Sequence, residues 1–254
     1  MKKKPKVAFF ALTSCEGCQF TLLDLGEKFF NLLKKGELID FSLIEETPFP
    51  QKVEIDVAFV EGSPITKKEV SLIKKIREES KLLVVVGNCA ALGGIPKIKN
   101  YQDKEKTINF IYKDLKNIDN PDIKGIDEFV EVDFTIPGCP INGEEFLKYA
   151  EILLQGKIPE VCQSPVCSEC PLRAKKDCFL AKKKICFGLI SLSGCKAVCP
   201  RGGLQCFGCR GLIKGVKVKN LIELLKKFEG EKEVEAKLEI FGVKDYVQKN
   251  LKQP

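Results

Sequence analysis

Thirteen cysteines and no histidine in a chain of 254 residues constrain this protein more than any other feature. A small secreted scaffold would use such a load as disulfides. This chain is long enough to bury an ordinary core without staples, and its cysteines recur as C-x-x-C pairs, the pattern of reduced thiols that bind metal. The lack of histidine excludes two-His zinc fingers, non-haem iron triads and His-based acid–base catalysis. All-thiolate zinc and iron–sulfur clusters remain.

Charge and hydropathy narrow the setting. No apolar run approaches the roughly 18–20 residues of a membrane span. The apolar stretch after the Lys-rich start, Val7 to Leu12, runs straight into Thr13-Ser14-Cys15 and is too short for an export segment, so a cytoplasmic chain is expected. The formal charge is +7. Each all-Cys cubane brings about two negative charges, so three would leave roughly +1. The lysines are scattered among glutamates rather than interleaved with aromatics, which argues against nucleic acid.

Residues 1–157 alternate strand-like and helix-like segments, whereas 158–254 combine a Cys-, Gly- and Pro-rich stretch with a Lys/Glu-rich helical tail. In the first region Val7–Leu12, Leu38–Ile44, Val57–Val60, Leu82–Val86 and Phe129–Ile136 read as strands. Phe20–Leu33 reads as one amphipathic helix presenting Leu22, Leu23, Phe29, Phe30 and Leu33, stopped by Gly36. Thr66 with Glu69 forms a capping box for a helix to about Glu79, and Asn142 with Glu145 starts another that Gly156 ends near Gln155. The segment from 97 to 127 gives no clear pattern. This alternation predicts an α/β fold, a flavodoxin-like doubly wound parallel sheet, followed by an irregular Cys-rich module and C-terminal helices.

On that sheet Cys15 and Cys18 follow the first strand, Cys89 follows Leu82–Val86, and Cys139 follows Phe129–Ile136. The carboxyl ends of parallel strands share one edge, where ligands bind. Four thiolates converging there are a ligand set for one 4Fe–4S cluster, and the glycines beside them let backbone approach it. The alternative is that Cys89 and Cys139 are small buried core residues, against which their Gly neighbours in a loop-like context speak. Glu61-Gly62-Ser63 should reach the same edge, with Ser63 either supporting the site or capping a helix in an ordinary turn.

The tail places nine cysteines between Cys162 and Cys209. Eight complete two cubanes. The sequential split assigns Cys167, Cys170, Cys178 and Cys186 to one and Cys195, Cys199, Cys206 and Cys209 to the other, leaving Cys162 spare. Alternating ligation also exists in ferredoxins, but neither half shows their C-x2-C-x2-C-x3-C-P run. On spacing alone, a zinc ribbon or a series of four-thiolate zinc sites competes, which would make the chain a scaffold without redox work.

Together these motifs resemble the small subunit of cytoplasmic NiFe hydrogenases. The resemblance lies in Cys15-Glu16-Gly17-Cys18, Gly87-Asn88-Cys89-Ala90 with Gly93-Gly94, and Pro137-Gly138-Cys139-Pro140. In the tail it lies in Val166-Cys167-Ser168-Glu169-Cys170, Cys186-Phe187-Gly188, Gly194-Cys195-Lys196-Ala197-Val198-Cys199-Pro200 and Cys206-Phe207-Gly208-Cys209-Arg210-Gly211. The branch is that of the sulfhydrogenase delta subunit and of the viologen-reducing and deazaflavin-reducing hydrogenases. The resemblance implies three 4Fe–4S clusters: proximal through Cys15, Cys18, Cys89 and Cys139; medial through Cys195, Cys199, Cys206 and Cys209; distal through Cys167, Cys170, Cys178 and Cys186. It also implies a NiFe-containing large subunit as partner, and an external acceptor that is a flavin or Fe–S subunit or ferredoxin. The chain itself would relay electrons and hold no catalytic residue. Two departures from periplasmic members matter: Cys167 stands where a histidine ligates the distal cluster, and Cys199 where a proline accompanies a three-iron medial cluster. The stretch Ile190-Ser191-Leu192-Ser193 also departs from the Gly-Pro-x-Thr-Arg expected after Cys186. The homologous subunit of respiratory complex I resembles only the N-terminal half, typically with adjacent cysteines in its first motif. No GxGxxG or P-loop is present, so nucleotide and flavin would belong to partners.

Overall fold

A computed structural model describes residues 3–41, 43–44, 53–114 and 120–251. They form two compact units, Met1–Glu160 and Val161–Pro254.

The first unit is built on five parallel strands: β1 (Lys6–Ala11), β2 (Glu37–Phe41), β3 (Ile55–Glu61), β4 (Ser80–Val86) and β5 (Phe134–Ile136). Their order is β2-β1-β3-β4-β5, the flavodoxin-like arrangement expected from the sequence. The chain leaves β1 for one edge and returns to build the other side from β3, so a crevice opens at the carboxyl ends of β1 and β3. Side chains alternate between the faces. Ala8 and Phe10 of β1 join Ala58, Val60, Leu83 and Val85 on one face, beneath Ile73 and Ile76. On the other, the Phe9 ring stacks on Phe59 at 4.9 Å, while Phe29 and Phe146 close the aromatic cluster.

The helices of this unit are α1 (Gly17–Leu23), α2 (Glu27–Leu33), α3 (Lys67–Glu79), α4 (Gly87–Leu92), α5 (Lys104–Ile111) and α6 (Gly143–Leu153). Both N-terminal caps form: Thr66 and Glu69 make the reciprocal capping box, with the Thr66 hydroxyl accepting from the Glu69 N–H, and the Asn142 side-chain Oδ1 accepts from the Glu145 N–H.

Three sequence expectations need correction. The single helix over Phe20–Leu33 is two helices, because Gly26 adopts φ +55 between them; the turn buries Leu22, Phe29 and Leu32 and leaves Phe30 about half exposed. The last strand is only Phe134–Ile136. Residues Ile126–Glu128 coil into a 3-10 turn, and the Asp133 carboxylate takes the Leu83 N–H and pairs with Arg77, so the ladder starts late. Cys89 lies on α4 rather than in a loop. The segment left unassigned holds a 3-10 helix, Ile95–Tyr101, and α5, while 115–119 lie outside the described residues. The second strand ends at Phe41, and Ser42 also lies outside them.

In the second unit, irregular turns run from Val161 to α7 (Val198–Arg201) and on to α8 (Lys219–Glu229), α9 (Glu231–Glu239) and α10 (Lys244–Leu251). Buried Arg210 organises the turns: its Nε donates to the Leu192 and Ser193 carbonyls. The Glu169 carboxylate accepts from the Gly194 N–H in the same region. The tail helices bury Leu221, Ile222, Leu225, Val234 and Leu238, and Glu229 accepts from the Ile185 N–H. Half-buried ion pairs such as Lys237–Glu229 and Lys244–Glu239 join them.

Candidate metal centres

The first centre is assembled at the carboxyl edge of the sheet. The turn after β1 holds Glu16 at φ +60 and leads into α1, so Cys15 and Cys18 lie on either side of that turn. No side chain of α1 caps its own start. Glu61, the last residue of β3 and 3% exposed, does so instead: its carboxylate accepts the N–H groups of Cys18 at 3.1 Å and Gln19 at 3.0 Å. Burial raises the Glu61 pKa, against the lowering effect of those two donors. Ser63 is fully buried, and its hydroxyl donates to the Cys89 carbonyl at 2.7 Å. It therefore supports the Cys89 turn, and the capping reading of Ser63 gives way to Thr66.

Cys89 sits in the first turn of α4, and Cys139 follows β5, with the Asn88 N–H donating to the Gly138 carbonyl at 2.7 Å. The four thiols act on one another electrostatically. Burial lifts Cys139 to about 11, with Cys89, Cys15 and Glu61 pushing the same way. Cys89 also reaches about 11, through burial and then Cys15. Cys18 is raised by burial, Glu61 and Cys139, while the Ile141 N–H pulls it down. All four are free.

Glycines clear space against these sulfurs. A Cβ at Gly87 would stand 2.5 Å from the Cys18 Sγ, and one at Gly94 2.7 Å from the Cys89 Sγ. A polynuclear group needs backbone that close and N–H donors to its sulfurs, and both are present. Among the described residues, no three Cys, Asp or Glu side chains are placed to hold a lone metal ion.

In the tail, Cys167 is lifted to about 11 by burial and by Cys186, Cys170 and Cys178, with Arg173 opposing. Burial also raises Cys186, and Cys178 and Cys170 add to it. A Cβ at Gly188 would lie 3.3 Å from the Cys167 Sγ and 3.7 Å from the Cys186 Sγ. Cys199 is raised by burial and Cys195. Cys206 is raised by burial, then by Cys186 and Cys209, and its N–H donates to the Cys186 Sγ at 3.4 Å. Cys206 thus adjoins both groups of thiols. Cys162 is exposed, 3.5 Å from the Ser164 hydroxyl.

Sequence reasoning missed Gln19, 3% exposed, with neither amide atom hydrogen-bonded among the described residues. It gave no role to Arg210 or Gly188. Only the adjacency of Gln19 to Cys18 and of Gly188 to Cys186 could have drawn attention to two of them.

Raised thiols have a consequence for the metal-free chain. Its folded state keeps protons on Cys89, Cys139 and Cys167 up to about pH 11, while the unfolded chain releases them near 9. Above pH 9 the unfolded state therefore binds fewer protons, and stability falls as pH rises. Denaturant titrations of metal-free protein at pH 8 and pH 10.5 should show a lower midpoint at the higher pH. An unchanged or higher midpoint would contradict the burial of these thiols.

Residues 15–152 match the family model described as the 20 kDa subunit of NADH ubiquinone oxidoreductase. Over 93% of this chain and 99% of the relative, the sequence is 34% identical to sulfhydrogenase 2 subunit delta of Pyrococcus furiosus. It is 32% identical to a subunit of the F420-non-reducing hydrogenase vhu of Methanocaldococcus jannaschii, over 81% of each chain. Among solved structures, a chain of an NAD+-reducing [NiFe]-hydrogenase matches with TM-score 0.54 and 24% identity, over 63% of this chain and 96% of that one. A chain of the Dm. baculatum [NiFeSe]-hydrogenase matches with TM-score 0.57 and 18% identity, over 82% of this chain and 94% of that one. At these identities the structural matches establish the fold.

Proposed function

Because the chain belongs to the family of the 20 kDa subunit of NADH ubiquinone oxidoreductase, as a small-subunit member on its NiFe hydrogenase side, we propose that it relays electrons through three 4Fe–4S clusters between a partner large subunit and an external acceptor. It is a subunit of an oxidoreductase with an electron-transfer role. The observation that carries the proposal is the extent of its likeness to sulfhydrogenase subunit delta, 93% of the chain. The complex I family model stops at residue 152, before the nine tail cysteines.

Cys15, Cys18, Cys89 and Cys139 would hold the proximal cluster; Cys195, Cys199, Cys206 and Cys209 the medial; Cys167, Cys170, Cys178 and Cys186 the distal. Such clusters supply one-electron transfer without bond chemistry in the protein. The chain's own residues bury the thiols, aim N–H groups at their sulfurs and keep side chains away at Gly87, Gly94 and Gly188. The NiFe site belongs to the large subunit, and flavin or Fe–S subunits or ferredoxin complete the path. Among the described residues no helix is long and apolar enough to cross a membrane, and we place the complex in the cytoplasm.

Anaerobically purified protein should contain about twelve iron and twelve acid-labile sulfide per chain. Stoichiometric zinc without visible brown absorbance would overturn the reading. Cys199→Ser should remove iron and slow reduction of the external acceptor, whereas Cys162→Ser should leave both unchanged. If Cys162 proves essential for iron content and Cys178 does not, the ligand assignment in the tail is wrong.

A further inference from the structure

We propose that the surface around Cys167, Cys170, Cys178 and Cys186 docks an acidic one-electron carrier protein, an inference that rests on the electron-transfer reading above. Between Cys170 and Cys186 the chain carries Arg173, Lys175, Lys176, Lys182, Lys183 and Lys184 against one carboxylate, Asp177, and all seven are exposed. Asp177 pairs with Lys182 at 2.7 Å, and Lys184 lies 4.0 Å from Glu229. Arg173, Lys175, Lys176 and Lys183 form no ion pair among the described residues.

This cationic patch is held in shape. Consecutive backbone bonds close it: Arg173 N–H to the Cys170 carbonyl at 3.2 Å, Cys178 to Lys175 at 3.1 Å, and Lys184 to Phe179 at 2.8 Å. Ala174 and Lys183 take φ +58 and +55, a left-handed backbone that non-glycine residues adopt only where their surroundings impose it.

All six cations are exposed, so their charge creates a field felt by an approaching protein. Leu189 is 46% exposed and follows Gly188, the residue packed against the Cys167 and Cys186 sulfurs. An apolar contact beside the thiols and a cationic rim suit a partner with an acidic rim, whose approach such a field steers in a salt-sensitive way.

The test uses the assembled complex with Lys175→Gln, Lys176→Gln and Lys183→Gln combined. A strongly acidic ferredoxin is the probe, and binding is measured at low and high salt. Carrier-dependent and methyl-viologen-dependent hydrogen oxidation are compared in parallel. Binding should weaken about tenfold or more at low salt and lose most of its salt dependence, with the viologen rate unchanged. Lys67→Gln, Lys68→Gln and Lys74→Gln on α3 serve as a charge-matched control that should bind as wild type. The proposal falls if the wild type shows no salt-sensitive binding, if the patch variant binds equally well, or if the control loses as much. Iron and sulfide analysis of the same wild-type sample judges the electron-transfer reading separately, because binding is read without turnover.

Discussion

Gly87→Ala is expected to strip the chain of the cluster proposed at Cys15, Cys18, Cys89 and Cys139 while leaving it folded. Gly87 opens α4 at φ +85, and an added Cβ would meet the Cys18 Sγ at 2.5 Å. The sulfur must then move, and Cys18 is anchored by the bond from its N–H to buried Glu61. A ligand set displaced on one side loses cluster affinity, because four sulfurs and their supporting donors act together. The backbone cost of a non-glycine residue there is about 1–2 kcal/mol. A domain stability of about 5–15 kcal/mol survives that loss. Iron and sulfide should fall from about twelve to about eight per chain, with the far-ultraviolet circular dichroism retained. Gly156→Ala is the matched control: it has φ +73 and nothing within 4 Å of the added Cβ. It carries the same backbone strain and should keep its iron. Full iron content in Gly87→Ala, or equal loss in the control, would refute the role given to Gly87.

The second large effect concerns the sheet that aims those thiols. Phe146→Ala should destabilise the protein by about 3–5 kcal/mol. Phe146 has no exposed surface, and its ring lies 5.1 Å from Phe59, 6.3 Å from Phe9 and 6.4 Å from Phe29. Truncation leaves a cavity under β1 and β3, the two strands whose ends carry Cys15, Cys18 and Glu61. A thermal midpoint lower by roughly 6–20 °C is expected. Phe110→Ala, at a side chain 90% exposed, should change stability by no more than about 0.5 kcal/mol. Equal midpoints for the two variants would show that the aromatic cluster does not hold the sheet.

Much of the α/β frame was legible because its signals are local. Apolar, β-branched runs such as Leu82–Val86 are typical of central parallel strands, and the Thr66/Glu69 and Asn142/Glu145 pairs mark helix starts by their own hydrogen bonds. The Phe20–Leu33 helix was misread because its apolar spacing continues across Gly26, and a glycine inside a helical pattern does not announce its φ. The last strand was overextended for a similar reason. Val130 and Val132 look strand-like, but the 3-10 turn before them and the Asp133 carboxylate set where pairing begins.

For the cysteines, sequence by itself determined the inventory of ligands: thirteen thiols, no histidine, paired spacing, and four positions after strands that must end on one edge. It also determined that Glu61 and Ser63 reach that edge. Tertiary structure decided what each one does there. Glu61 caps α1 across 43 residues of chain, and Ser63 braces the Cys89 carbonyl across 26. Gly87, in the Cys89 motif, clears space for Cys18 rather than for its own neighbour. The physical reason is that ligand type is a property of a side chain, readable one residue at a time. Burial, donor geometry and clearance around a sulfur arise only when distant strands bring their ends together.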